Sequence, residues 1–126
     1  MSGNRYLLDT NIVLYLLSSE NKTESLLFKK IFISFITELE LFSYPSLTDD
    51  ERESISFFLS KTKIVDIMPV VKSRTIFLRQ KYRLKLPDAI ICATAWFLKC
   101  AFVTNDKKLV KINEIKTIKL NAFITE

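Results

Sequence analysis

Five short apolar runs, separated by stretches of helical periodicity, restrict this chain more than any other feature. Residues 5–8 (RYLL), 31–36 (IFISFI), 64–67 (IVDI), 101–104 (AFVT) and 117–120 (TIKL) read as strands. Helices are predicted over 12–18, 23–30, 37–45, 49–60, 69–82 and 87–98, with a short one over 106–110. Asn11 reads as the cap of the first helix, and Thr48 followed by Glu51 is a capping-box pattern. Pro69 and Pro87 suit first-turn positions, where a missing N–H costs nothing. Strands that alternate with helices imply a parallel α/β sheet. With no repeat and no linker, residues 1–126 are expected to form one domain.

Gly3 is the single glycine. Helix-to-strand turns must therefore place other residues in the left-handed region, and Lys99 and Cys100 are candidates. Cys92 and Cys100 lack metal-ligand spacing and read as reduced core thiols. The longest apolar runs, 12–17 and 89–93, fall far short of the roughly 20 residues that cross a bilayer. No signal-peptide pattern opens the chain. A soluble, cytoplasmic domain with no membrane partner is expected.

Net charge is +5, unevenly spread. Residues 9–53 hold nine acids against four bases, while 61–85 hold eight bases against Asp66 alone. An acidic region beside a basic one suits a nuclease, one gathering cations and the other attracting phosphate. The chain has no histidine. That argues against imidazole-driven cyclising ribonucleases and against the usual zinc hydrolases. Hydrolysis here would have to run on carboxylates and whatever they bind.

Ligands of open α/β sheets sit beyond the carboxyl ends of the strands. Asp9 ends the first predicted strand, Glu40 follows the second, and Asp106 lies two residues past the fourth. Asp88 lies in the first turn of the helix that feeds the fourth strand. Each acid also has a local reading. Asp9 and Asp106 could be turn or cap residues, Asp88 could favour the positive end of its helix, and Glu40 could close a capping box with Thr37.

Four segments, LLDTN (7–11), ISFITELEL (33–41), LPDAIICATA (86–95) and FVTND (102–106), resemble the motifs of PIN-domain nucleases, in that family's order and spacing. The style is that of VapC-type toxins of bacterial toxin–antitoxin pairs. The resemblance implies a five-stranded parallel sheet of order 3-2-1-4-5. It implies an acidic pocket of Asp9, Glu40, Asp88 and Asp106 that binds Mg²⁺ or Mn²⁺, with Thr10, Asn11 and Thr104 orienting the carboxylates or bound water. Glu38 competes with Glu40, but two residues apart on a helix is about 200°, so the two cannot share a face. Glu40 lies three after the motif threonine and is the choice.

The implied activity is metal-dependent endoribonuclease cleavage of structured RNA such as tRNA by metal-activated water. The implied partners are a second copy and an antitoxin, the latter expected to cover the apolar helix over 12–17. Glycines common in the family are replaced by Ser43-Tyr44-Pro45 after the second motif and by Cys100-Ala101 before the fourth strand. Two rivals remain. A receiver or haloacid-type phosphatase would need an adjacent acid or a second Asp where Asn11 stands. A catalytically silent interaction module would bind RNA or protein without cutting.

Overall fold

The computed structural model describes residues 5–18, 26 and 28–125. Strand β1 (Arg5–Leu8) is the central strand of the sheet. It pairs in parallel with β2 (Lys30–Ser34) on one side and β4 (Ala101–Val103) on the other. Strand β3 (Lys63–Val65) extends the sheet past β2, and β5 (Thr117–Ile118) past β4. The order is β3-β2-β1-β4-β5, all parallel, as the resemblance implies. It differs from the 2-1-3-4-5 order of receivers, which removes the receiver half of that rival.

The period of two along β1 explains why the sheet is covered on both faces. Leu7 packs with Phe32, Val65 and Phe102 under helices α4 (Pro69–Tyr82) and α5 (Leu86–Leu98). Tyr6 and Leu8 face the other way. They pack with Ile31, Ile33 and Val103 under α1 (Thr10–Leu17), α3 (Asp49–Ser60) and α6 (Leu120–Thr125). Among the described residues, no helix is long and apolar enough to cross a membrane. Cys92 and Cys100 are free and buried.

Several element ends differ from the expectation, each for a local reason. Asp9, not Asn11, caps α1, and its side chain accepts from the Thr10 amide. Strand β2 stops at Ser34, whose hydroxyl caps α2 (Phe35–Phe42) by accepting from Ile36 N at 3.1 Å. Thr37 is therefore one turn inside a helix, and its capping-box reading with Glu40 is lost. Asp66 follows β3 and does not lie within it. The helix expected at 106–110 is a 3₁₀ turn, Leu109–Lys111. The last strand ends at Ile118 because α6 begins at Leu120, whose N–H donates to Asn105 Oδ1 at 3.1 Å. The helix expected over 23–30 falls mainly outside the described residues, and Lys30 opens β2. The capping box of Thr48 and Glu51 is present as read.

The glycine shortage is met by two cations. Arg83 (φ 57°) ends α4 and Lys99 (φ 55°) ends α5, both left-handed, while Cys100 has no positive φ. A Cβ in that region costs about 1–2 kcal/mol, whereas a glycine adds roughly 0.4–1 kcal/mol of unfolded-chain entropy. Lys99→Gly is expected to raise stability by about 0.5–1 kcal/mol, measured as a higher urea midpoint at unchanged m. An unchanged or lower midpoint would show that the Lys99 side chain offsets the strain.

Candidate active site

The chain leaves β1 toward β2 and returns through β4 on the other side, so a crevice opens where the ends of β1 and β4 meet. Asp9 stands directly after β1 and is buried at 7% exposure. Its Oδ1 accepts from Thr10 N at 2.9 Å, and its Oδ2 accepts from Thr104 Oγ1 at 2.7 Å. The Thr104 hydroxyl also accepts from Asp106 N at 3.1 Å. One fully buried hydroxyl thus joins the first acid to the backbone of the fourth. Asp106 Oδ1 accepts from Lys108 N at 2.8 Å, which turns the chain toward the 3₁₀ segment.

Glu40 enters from α2. Thr10 Oγ1 donates to Glu40 Oε1 at 2.7 Å and lies 2.8 Å from Thr37 Oγ1. A hydroxyl has one proton, and that of Thr10 goes to Glu40, so Thr37 is the donor in the second contact. The chain of donation runs from fully buried Thr37 to Thr10 to Glu40. Thr37 was legible only as a motif position, and its orienting part was missed. The signal was its place one helical turn before Glu40, on the same face. Asp88 comes in from the first turn of α5, just after Pro87.

Asp9, Glu40, Asp88 and Asp106 line one cavity of about 370 Å³, with Thr10, Asn11, Ser43 and Tyr44 completing the wall. All four acids singled out in the sequence are brought together, with Thr10 and Asn11 in the wall and Thr104 hydrogen-bonded behind it. Ser43 and Tyr44, from the segment that lacks the family glycine, were not anticipated as wall residues.

Repulsion and burial dominate the electrostatics. Burial pushes Asp9 above its ordinary 3.8, more than the bonds from Thr104 and Thr10 lower it, and the charges of Asp88 and Asp106 raise it further. Burial also raises Asp88, and the charges of Asp106 and Glu40 add to the rise. Lys85 and Lys108 pull Asp88 the other way. Cys92, one turn after Asp88, has its thiol pushed far up, first by burial and then by Asp9, Asp88 and Asp106. It is a core thiol and no ligand.

The basic stretch 61–85 is not a single face at this cavity. Arg74 lies 4.5 Å over the Trp96 ring, Lys61 lies 4.9 Å over Phe57, and Lys81 pairs with Glu114 at 2.7 Å. From that stretch, Lys85 is the cation whose charge acts on Asp88.

Hard carboxylate oxygens, with neighbouring hydroxyls and an amide, suit Mg²⁺ or Mn²⁺ in kind, and no imidazole or ionised thiol competes. Among the described residues, no three acidic, thiol or imidazole side chains are already closed into a cation cage. Like charges that share a cavity hold apart until a cation offsets them, so an ion would have to draw the carboxylates together.

A profile of the PIN domain matches residues 6–115, most of the chain. The chain belongs to the PIN-domain family. Solved structures agree with this PIN fold. A toxin–antitoxin complex from Klebsiella pneumoniae is 32% identical with a TM-score of 0.74, over 87% of this chain and 94% of that one. VapBC2 from Rickettsia felis, bound to a DNA fragment from their promoter, is 24% identical with a TM-score of 0.79, over 91% and 98%. VapBC-1 from nontypeable Haemophilus influenzae is 20% identical with a TM-score of 0.76, over 97% and 99%. No curated protein sequence matches the chain.

The raised carboxyls of this PIN domain have a measurable consequence. A folded-state pKa above the unfolded value makes Asp88 most compatible with the fold below about pH 4 and less so as pH rises through the raised value. Asp88→Asn should therefore raise the thermal midpoint at pH 7 in chelator, with the gain shrinking toward pH 4. A variant less stable at pH 7 than at pH 4, relative to the parent, would show that the carboxylate is favourably paired.

Proposed function

We propose that this PIN domain is a divalent-metal-dependent endoribonuclease and the toxin of a toxin–antitoxin pair. The observation that supports this most is the convergence of four carboxylates from four separate elements on one cavity at the sheet's switch point. Asp9, Glu40, Asp88 and Asp106 would hold Mg²⁺ or Mn²⁺, with Thr10, Asn11 and Thr104 behind them. When bound, the ion supplies charge that offsets the phosphate and a lowered pKa for water. The chain's own part is positional. Thr104 and the Thr10 amide fix the two oxygens of Asp9, the Thr37–Thr10 pair fixes Glu40, and Lys85 and Lys108 draw phosphate toward Asp88.

The toxin reading is supported by the 32% identity to one member of a toxin–antitoxin complex. The expected seat of the antitoxin needs revision. Ile12, Val13 and Leu16 of α1 are buried in the domain itself, so that helix does not offer its whole apolar length. Leu14 and Leu17 instead join Tyr44, Leu47 and Ile55 around a largely apolar groove of about 670 Å³. That groove suits the apolar face of an antitoxin helix, and a basic side chain from the same partner suits the acidic cavity, which shares Tyr44 with it. Val70, Ile76 and Phe77 on α4 are exposed apolar surface that a second copy would cover.

With no histidine to deprotonate a 2′-hydroxyl, water should attack phosphorus in line and the bond to the 3′-oxygen should break. The products are then a 5′-phosphate and a 3′-hydroxyl. End-labelling of fragments from purified protein checks this, and cyclic phosphate ends would overturn it. Cleavage should stop in EDTA and return with Mn²⁺. Asp9→Asn and Glu40→Gln should lower the rate by at least about a thousandfold, while Glu38→Gln should stay near the parent. RNA binding with no cleavage in either ion would instead support the silent interaction module.

A further inference from the structure

Residues 69–85 carry six bases and no acid, and α4 sorts its share of them onto two flanks. Val71, Thr75 and Leu78 form the buried face of the helix. Arg74 and Phe77 lie on the flank that meets Trp96 of α5, with the Arg74 guanidinium 4.5 Å over the ring. Lys81 shares that flank and is neutralised by Glu114 at 2.7 Å. Lys72 and Arg79, two turns apart, lie on the other flank, roughly 140–200° round the helix from those three. Arg83 follows Arg79 by one turn, at the helix end. Lys72, Arg79 and Arg83 are all exposed, and among the described residues none is paired with a carboxylate. Arg79 Nε donates to Leu84 O at 3.2 Å, which ties this flank to the connection that carries Lys85. That connection leads into the first turn of α5, where Asp88 stands and feels the charge of Lys85. Uncompensated positive charge therefore starts beside the acidic cavity and runs back along α4 for about 16 Å.

We infer that Lys72, Arg79 and Arg83 form a track for the RNA backbone, which holds phosphates of one strand and leads it past Lys85 to the acids. The inference deepens the ribonuclease reading and rests on it for the identity of the polyanion. Charge selects the occupant. A cavity walled by four carboxylates repels the strand it would cut, so the attraction has to come from cations beside it. The planar guanidinium forks of Arg79 and Arg83 match phosphate oxygens, and Lys72 adds a point charge further along. A second copy is the poorer occupant, because a two-fold contact through this flank would set the cations of one copy against those of the other. Val70 and Phe77 lie on the opposite flank, with exposed Ile76 toward the crest between, so a second copy can cover those three without stacking on the cations. Phosphates carry no sequence information, so the track positions a strand and does not choose it.

Affinity across a salt series separates this track from a helix that is merely basic. A labelled oligouridylate is titrated against the full chain in EDTA by fluorescence anisotropy, and the logarithm of the binding constant is plotted against that of the salt concentration. The triple variant Lys72→Gln, Arg79→Gln, Arg83→Gln should lose about two from the slope, at about 0.7 per phosphate contact, and bind about tenfold more weakly at ~0.1 M salt. A control triple, Lys61→Gln, Arg74→Gln, Lys81→Gln, removes the same net charge from side chains engaged elsewhere and should change the slope by less than about 0.7. Lys72→Gln alone alters a side chain with no bond in the fold and should lose about 0.7, which keeps the test open if a triple variant misfolds. An oligoadenylate should show the same losses. Equal losses in the two triple variants, or a slope that Lys72→Gln leaves unchanged, overturn the track. A triple variant that disrupts a dimer on gel filtration and keeps the parent's slope overturns it too, and gives the flank to a second copy. Cleavage in Mn²⁺ beside an unchanged slope keeps the nuclease reading without the track. A parent that shows the predicted slopes but cuts no RNA in Mn²⁺ or Mg²⁺ sinks the nuclease reading and leaves the track standing.

Discussion

The 2.7 Å hydrogen bond from Thr104 to Asp9 lies at the point on which the rest of the site depends. A carboxylate buried at the end of a central strand is costly unless its oxygens are paired. Asp9 meets this with one bond to the start of its own helix and one across the seam to the residue after β4. The second bond spans 95 positions in sequence, and through the Asp106 amide it also sets where the fourth acid begins. The fold and the site are therefore one constraint at this seam. The parallel pairing of Leu8 with Val103 brings the strand ends together, and the hydroxyl converts that proximity into a fixed carboxylate.

A second constraint opposes the first. The same seam gathers charges of one sign, and burial and mutual repulsion raise Asp9 and Asp88. A fold that tolerates this without a cation gives up stability at neutral pH. Two of the four acids are oriented by threonine hydroxyls, Thr104 for Asp9 and Thr10 with Thr37 for Glu40. Hydroxyls that fix carboxylate oxygens in this way suit a site where carboxylate position matters.

The capping box at Thr48 and the two first-turn prolines were legible because each acts within a few residues of itself, and the four acids because their motifs stand in the order and spacing of the PIN family. Strand order came from resemblance, since five parallel strands with helical crossovers admit several orders. What stayed hidden was long-range. Asn105 starts α6 from 15 residues away, and nothing local marks it as a cap. Ser34 displaced Thr37 as the start of α2 because Phe35 and Ile36 already pack against the α4–α5 face. The charge count over 61–85 was true of composition and misleading about space. Helical periodicity scatters those side chains onto aromatic rings and onto Glu114. The apolar stretch 12–17 read as a surface to be covered by a partner, yet half of it (Ile12, Val13 and Leu16) is core.

Direct titration with Mn²⁺, followed by calorimetry or by the paramagnetic signal of the free ion, tests the central claim that the four acids act as one cation pocket. The account predicts binding in the parent, weakened at least about tenfold in each of Asp9→Asn, Glu40→Gln, Asp88→Asn and Asp106→Asn, and unchanged within about twofold in Glu38→Gln. Affinity that survives all four substitutions, in proteins shown to be folded, would contradict it.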